Sequence, residues 1–180
     1  TKALSKELLG IYFLFFLVVQ VASLVSNLGL QQALITKIGE GKRENAAFSA
    51  ALMVITVVSF VIAALVYLFR TPLATYIGAD VPLLIAFATA AWLLSDLYKD
   101  GLQAEDRVFE YGLLQLLEDV LRVGVGAVLV TMGLGPRGLM YGVIAGFLGT
   151  ALVGVFVTDL SITLPELRDF TRIFSVARYT

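Results

Sequence analysis

Five long apolar runs separated by short polar stretches set the plan of this chain. Residues 8–30 carry no charged side chain. At about 1.5 Å per helical residue they are long enough to cross a hydrocarbon core of about 30 Å. Residues 46–69 form a second uncharged run, and residues 81–98, 109–132 and 137–160 a third, fourth and fifth. The stretches between them hold the punctuation. Residues 37–45 (KIGEGKREN) are charged and carry two glycines, residues 70–80 contain Thr71-Pro72, residues 99–107 (KDGLQAEDR) are charged, and residues 133–136 read GLGP. Glycine, proline and clustered charge end helices. Asp80-Val81-Pro82 reads as the start of the third helix, a capping aspartate with proline in the first turn. The predicted fold is therefore all-α: a polytopic membrane bundle of about five transmembrane helices over residues 1–163. Residues 164–180 follow as an amphipathic connector helix on the cytoplasmic surface, with Leu167, Phe170, Phe174 and Ala177 on one face and Arg168 and Arg172 off it.

The polar residues inside the runs fall into stripes. Gln20, Ser23, Asn27 and Gln31 follow one face of the first helix, which should meet protein or water rather than lipid. Thr89, Trp92, Asp96 and Lys99 share a face of the third. Asp96 lies near the predicted helix end, so contact with headgroups is its plainer reading. The fourth run is the most unusual, because it holds Glu118, Asp119 and Arg122 well inside its span. A charge at the centre of a membrane helix costs about 2.5–3.5 kcal/mol on insertion scales. Such charges persist only against a partner, a wet cavity or one another. With about 3.6 residues per turn, Tyr111, Gln115, Glu118 and Arg122 form one stripe with Asp119 beside it. Glu118 and Arg122 stand four apart, acid first, the favourable order for an intrahelical pair, which leaves Asp119 over. Two readings stay open. One is a structural ion pair holding this helix to its neighbours. The other is the lining of a polar cavity, where Arg122 meets an anionic substrate or Asp119 takes a proton or cation. In the fifth run Gly138, Gly142, Gly146, Thr150 and Gly154 repeat every four residues. Small residues in this register let two helices approach closely in lipid, so a packing face is expected in preference to a rocking, flexible helix.

Composition sharpens the class. Of 180 residues 59% are hydrophobic and 15% charged, with a mean hydropathy of +0.91; soluble domains are nearer a quarter charged. A net charge of −1 gives no electrostatic footprint for nucleic acid. The absence of cysteine and histidine removes disulfides, thiolate or imidazole metal sites, thiol nucleophiles and histidine bases. No metal site, cofactor or catalytic residue is expected, and a coupling ion, H+ or Na+, is left open. Asp100-Gly101-Leu102-Gln103-Ala104 fits the opening of the Asp-Gly-x-x-Ala-Arg pattern of membrane CDP-alcohol phosphotransferases. Glu105 stands where the arginine belongs and Leu114 where the next glycine belongs, so that chemistry is set aside. Loop charges give an orientation. Lys37, Lys42, Arg43, Lys99, Arg107, Arg168, Arg172 and Arg178 lie toward one end, and Lys2, Lys6, Arg70 and Arg137 toward the other. The positive-inside rule places the first group in the cytoplasm. Thr1 is then outside, and a preceding transmembrane helix is expected.

Residues 4–45, with the element Asn27-Leu28-Gly29-Leu30-Gln31-Gln32-Ala33 followed by a basic loop, resemble the second transmembrane segment of polysaccharide-biosynthesis flippases. Those proteins belong to the multidrug/oligosaccharidyl-lipid/polysaccharide exporter superfamily. Residues 101–146, with a glutamine and a short phenylalanine-bearing loop before a helix containing Glu and Arg and then a glycine-rich helix, resemble the fourth to sixth segments. The resemblance implies one part of a fold of about twelve to fourteen helices in two pseudo-symmetric halves around a central cavity. It implies transport of lipid-linked saccharides across the cytoplasmic membrane by alternating access. On that map this chain is the second to sixth helices, and its partners are membrane lipid, the lipid-linked saccharide and the second half of the fold or a partner subunit. Gln20, Asn27, Asp96, Gln115, Glu118, Asp119 and Arg122 are the candidate cavity residues, with Arg122 suited to the phosphates and the amides to the sugar. The alternatives are a cation-coupled multidrug exporter of the same superfamily, with Glu118 or Asp119 on the ion, and a non-transporting helical subunit that packs through the glycine face.

Overall fold

The computed structural model describes residues 6–27, 30–39, 44–166 and 169, and it is an all-α membrane helix bundle with no strand among those residues. Its helices are α1 (Lys6–Asn27), α2 (Leu30–Gly39), α3 (Glu44–Leu68), α4 (Arg70–Ile77), α5 (Pro82–Ala104), α6 (Val108–Leu129) and α7 (Pro136–Val157). A π turn, Val130–Leu134, links α6 to the turn before α7. There Gly133 (φ 93°) and Gly135 (φ 57°, ψ −138°) take conformations that side-chain-bearing residues avoid, and Pro136 opens α7 at its first turn.

Tertiary contacts give the direction of each helix. Phe16 stacks on Trp92 (centroids 5.8 Å apart) and, further along both helices, Gln20 and Ser23 share a cleft with Asp96; Trp92 lies against Phe147 (4.9 Å) and, further along, Tyr98 against Gly154, so α1, α5 and α7 run the same way. Phe48 meets Tyr98 while Ile55 lies beside Leu93, and Ser95 meets Glu118 while Lys99 meets Gln115, so α3 and α6 run the other way. The bundle is apolar on its outside. Leu113, Leu116, Val120 and Val123 form the exposed face of α6, and Leu148, Leu152, Val155 and Phe156 that of α7. This is the surface expected of helices solvated by lipid. Residues 9–26, α3 and α7 are each long and apolar enough to cross a membrane, and α4 with α5 meets the same test as one pair bent by 94°. Charges keep α6 off that count, although α6–α7 is the most extensive helix pair in the bundle.

Several boundaries differ from the sequence reading. The first run is not one helix to residue 30, since α1 ends at Asn27 and α2 continues separately to Gly39, through part of the expected 37–45 loop. The expected 70–80 loop holds α4, because Pro72 falls in a first helical turn, where a missing N–H costs little. Gly78, at φ 76°, then ends α4. The largest correction concerns residues 99–107: α5 runs on to Ala104, and Lys99 and Asp100 are each only 6% exposed inside the bundle. Lys99 is therefore not a loop cation. After α7, residues 158–166 are non-helical and lie along the start of α3, with the Ser161 and Thr163 amides donating to Asn45 Oδ1 and Ser49 Oγ (2.8 Å each). The expected connector helix at 164–180 falls almost wholly outside the described residues.

The glycine register of α7 is a packing face. A β-carbon on Gly142 would lie 2.5 Å from the Arg122 carbonyl oxygen and 2.7 Å from Gly126 Cα. One on Gly146 would lie 2.9 Å from the Glu118 carbonyl oxygen, and one on Gly154 2.6 Å from Tyr98 Cβ. Backbone-to-backbone approach at this distance leaves no room for any other residue.

Candidate polar cavity face

The close approach of α6 to α7 fixes the azimuth of α6 and turns its polar stripe toward α5 and α1. Glu118, 4% exposed, points at α5, where Ser95 Oγ donates to its Oε2 at 3.0 Å and Lys99 Nζ lies 3.0 Å from the same oxygen. Lys99 also meets Asp96 Oδ1 at 2.9 Å and Gln115 Oε1 at 3.3 Å. An ammonium has three N–H donors, and here all three find acceptors. Asp96 Oδ2 accepts from Trp92 Nε1 at 2.7 Å. One turn further along α5, Gln31 Nε2 donates to Asp100 Oδ1 at 2.9 Å, which ties α2 to the same helix.

Arg122 does not pair with Glu118. Its Nη2 donates to Asp119 Oδ1 at 2.7 Å, and its guanidinium carbon lies 6.0 Å from the centre of the Phe16 ring on α1. Glu118 is claimed instead by Lys99, a cation on a neighbouring helix. The carboxylate left over in the sequence reading, Asp119, is therefore the one that holds Arg122. Asp119 and Arg122 keep 47% and 30% of their side chains exposed, and Asp96 keeps 31%. These three face the open side of the bundle, whereas Glu118 and Lys99 lie behind them.

An open cleft of about 370 Å³ runs between α1 and α5, lined by Gln20, Ser23, Trp92 and Asp96 with Val21 and Leu24. The polar stripes expected on the first, third and fourth apolar runs thus converge on one surface. Gln20 and Asp96 line the cleft, Gln115 and Glu118 on α6 reach α5 through Lys99, Asp119 holds Arg122, and Arg122 reaches α1 at Phe16. Asn27 closes α1, but its side chain lies outside what the structure describes. Asp96 does not end a helix, because α5 continues for two more turns. Sequence reasoning missed Lys99 as a member of the site. The spacing Trp92, Asp96, Lys99 had put it on the right stripe, and only the early helix end removed it.

At the α5–α6 turn Arg107 gathers three acids: Glu110 at 3.1 Å, Asp159 at 3.0 Å and Glu105 at 3.7 Å. Burial raises the Glu105 carboxyl above the ordinary glutamate range, and Arg107 only partly offsets it.

A family model described as polysaccharide biosynthesis protein matches residues 2–180. The chain is 25% identical over 179 residues to the probable low-salt glycan biosynthesis flippase Agl15 of Haloferax volcanii, an alignment covering 99% of this chain and 38% of that protein. No solved structure matches it.

Proposed function

The chain belongs to the polysaccharide biosynthesis protein family, as a multi-pass membrane protein, and from that premise we propose that it forms one wall of a cavity through which lipid-linked glycan precursors cross the cytoplasmic membrane by alternating access. The observation that carries this reading is the polar face itself. In a bundle whose exterior is apolar, Gln20 and Asp96 line an open cleft, Asp119 and Arg122 stay partly exposed on α6, and Lys99 with Glu118 forms a buried ion pair behind Asp96. Membrane proteins bear the cost of charge at such positions where it lines a path for a polar cargo. The similarity to the Haloferax relative, a probable flippase in glycan biosynthesis, supports the same cargo class. The role is transport rather than catalysis.

Within this reading α6 crosses the bilayer with α1, α3, α5 and α7, since it lies antiparallel along α7 against the glycine face. The end carrying Lys37 and Arg107 faces the cytoplasm. Because the chain spans 38% of its relative, the opposite wall comes from elements beyond it. Arg122 is assigned to the phosphates of the cargo. Asp119 occupies only one of its nitrogens in a hydrogen bond, and a guanidinium has five N–H donors in a planar fork. Asp96, Asp100, Glu118 and Asp119 outnumber Lys99 and Arg122, which supports coupling of the cycle to a cation, H+ or Na+. The test is Arg122→Ala in the natural full-length protein, reconstituted in liposomes with a fluorescent lipid-linked saccharide. Transport should fall at least about tenfold, as expected when a charge-assisted contact worth more than about 1.4 kcal/mol is lost, with membrane insertion intact. A wild-type rate would remove Arg122 from the path.

A further inference from the structure

We propose that Asp100 is where the coupling proton binds, reached from the open α1–α5 cleft through Asp96. The statement rests on the flippase reading and adds to it which cation drives the cycle and which carboxylate carries it. Asp100 is 6% exposed inside the bundle, and among the described residues it forms no ion pair. Its Oδ1 accepts from Gln31 Nε2 at 2.9 Å, its one hydrogen bond among those residues. Lys99, its neighbour in the chain, is already held by Asp96 at 2.9 Å and Glu118 at 3.0 Å. Three acids, Asp96, Asp100 and Glu118, therefore stand around one cation, and Asp100 is the one without it. A buried carboxylate lacking a counter-ion is costly as an anion, and taking up a proton removes that cost.

Two cavities give the proton its route. Asp96 lines the open cleft and also a small cavity of about 20 Å³, whose other polar lining is Gln31 and Asp100. That volume accommodates one water, which needs about 10–15 Å³ and two or more polar partners. A proton from the cleft taken up by Asp96 passes to such a water, the water gives one of its own to the Asp100 carboxylate, and release runs the same way in reverse. The rest of the lining is apolar, Leu34, Ala51 and Ile55 among it, so a sodium ion would lack its shell of oxygens, whereas a proton needs a single oxygen. The charges bearing on Asp100 are Asp96 and Lys99 of its own helix, with Glu118 of α6 beyond Lys99. Elsewhere α2 carries Lys37 further along, α3 only Glu44 at its start, α7 only Arg137 at its far end, and α1 only Lys6 and Glu7 at its start. The Gln31 amide serves both states, donating to the carboxylate or accepting from the acid. The charge-assisted bond is the stronger of the two, so α2 is held to α5 most firmly once the proton has left.

The test uses the natural full-length protein in liposomes with a fluorescent lipid-linked saccharide and the membrane potential clamped. The distribution of the saccharide between leaflets is read under a gradient of one pH unit, under a Na+ gradient and under neither. The pH gradient should shift the steady-state leaflet ratio by up to about tenfold for one proton per cycle. Asp100→Asn keeps the shape of the side chain and an oxygen for Gln31, and it should abolish the shift while exchange without a gradient stays above that of protein-free liposomes. Asp100→Glu, which restores a titratable group, should restore most of the shift, a rescue that a packing role would not produce. A second readout needs no variant: dicyclohexylcarbodiimide, an apolar reagent that couples to protonated carboxyls, should modify Asp100 of the wild-type protein, faster at lower pH, as mapped by peptide mass spectrometry. A pH-driven shift that survives Asp100→Asn, a shift driven by Na+ alone, or no adduct at Asp100 overturns the proton site and leaves the flippase reading standing. Wild-type exchange no faster than in protein-free liposomes overturns both.

Discussion

Lys99 is the residue on which the polar face depends. It holds Asp96 and Glu118 together at 2.9 and 3.0 Å, and both Lys99 and Glu118 are buried. Removing one partner of a buried pair leaves an uncompensated charge, whereas removing both is far milder. Lys99→Met should therefore cost about 3–5 kcal/mol, and adding Glu118→Gln should return part of that loss. Denaturation midpoints of the two single variants and the double variant check this, and simple additivity would show that the pair is not coupled. Glu105 gives a prediction of the opposite sense. Its carboxyl is raised by burial, so the folded state favours its protonated form. For an acid with a raised folded value, stability is highest below the unfolded value and declines as pH rises through the folded one. Glu105→Gln should flatten that decline across the mildly acidic range. A pH profile of the thermal midpoint identical to wild type would contradict it. The choice of partner for Arg122 was not legible in the sequence. Spacing offers both Asp119 and Glu118, and the decision is made by Lys99 on another helix. Local periodicity cannot see that cation.

At the scale of elements, the apolar runs were readable because lipid-facing helices need continuous hydrophobicity. The glycine face of α7 was readable because its four-residue period has few other causes. What misled was charge. The KDGLQAEDR stretch looks like a loop until Lys99 and Asp100 are seen to find partners inside the bundle, and only the tail of the stretch is a turn. Likewise α4 hides behind a proline that sits in a first turn rather than breaking a helix. The glycine face makes a direct prediction. Gly142→Ala places a β-carbon 2.5 Å from a backbone oxygen of α6, so the helices must part, at about 1–3 kcal/mol. Gly112→Ala meets nothing within 4 Å and should be neutral or gain about 0.5–1 kcal/mol from helix propensity. Thermal midpoints of the two variants in the same detergent distinguish the cases. Equal effects would mean that α6 and α7 do not pack through this face.

For the whole molecule, the bundle is apolar on its outside as well as in its core. Its glycines let α6 and α7 meet backbone to backbone, and the charges within its α5 and α6 spans gather around Lys99 and Arg122. In the proposed reading a second wall completes a cavity there; the chain spans 38% of its Haloferax relative. The central claim is that a protein built on this lobe moves lipid-linked glycan precursors. The most direct measurement is transbilayer movement of a fluorescent lipid-linked saccharide in liposomes containing the natural full-length protein, read by protection from a membrane-impermeant quencher. The account predicts exchange between leaflets well above that of protein-free liposomes, and its loss in Arg122→Ala. Exchange no faster than in protein-free liposomes, with the protein folded and inserted and both an H+ and a Na+ gradient supplied, would contradict it.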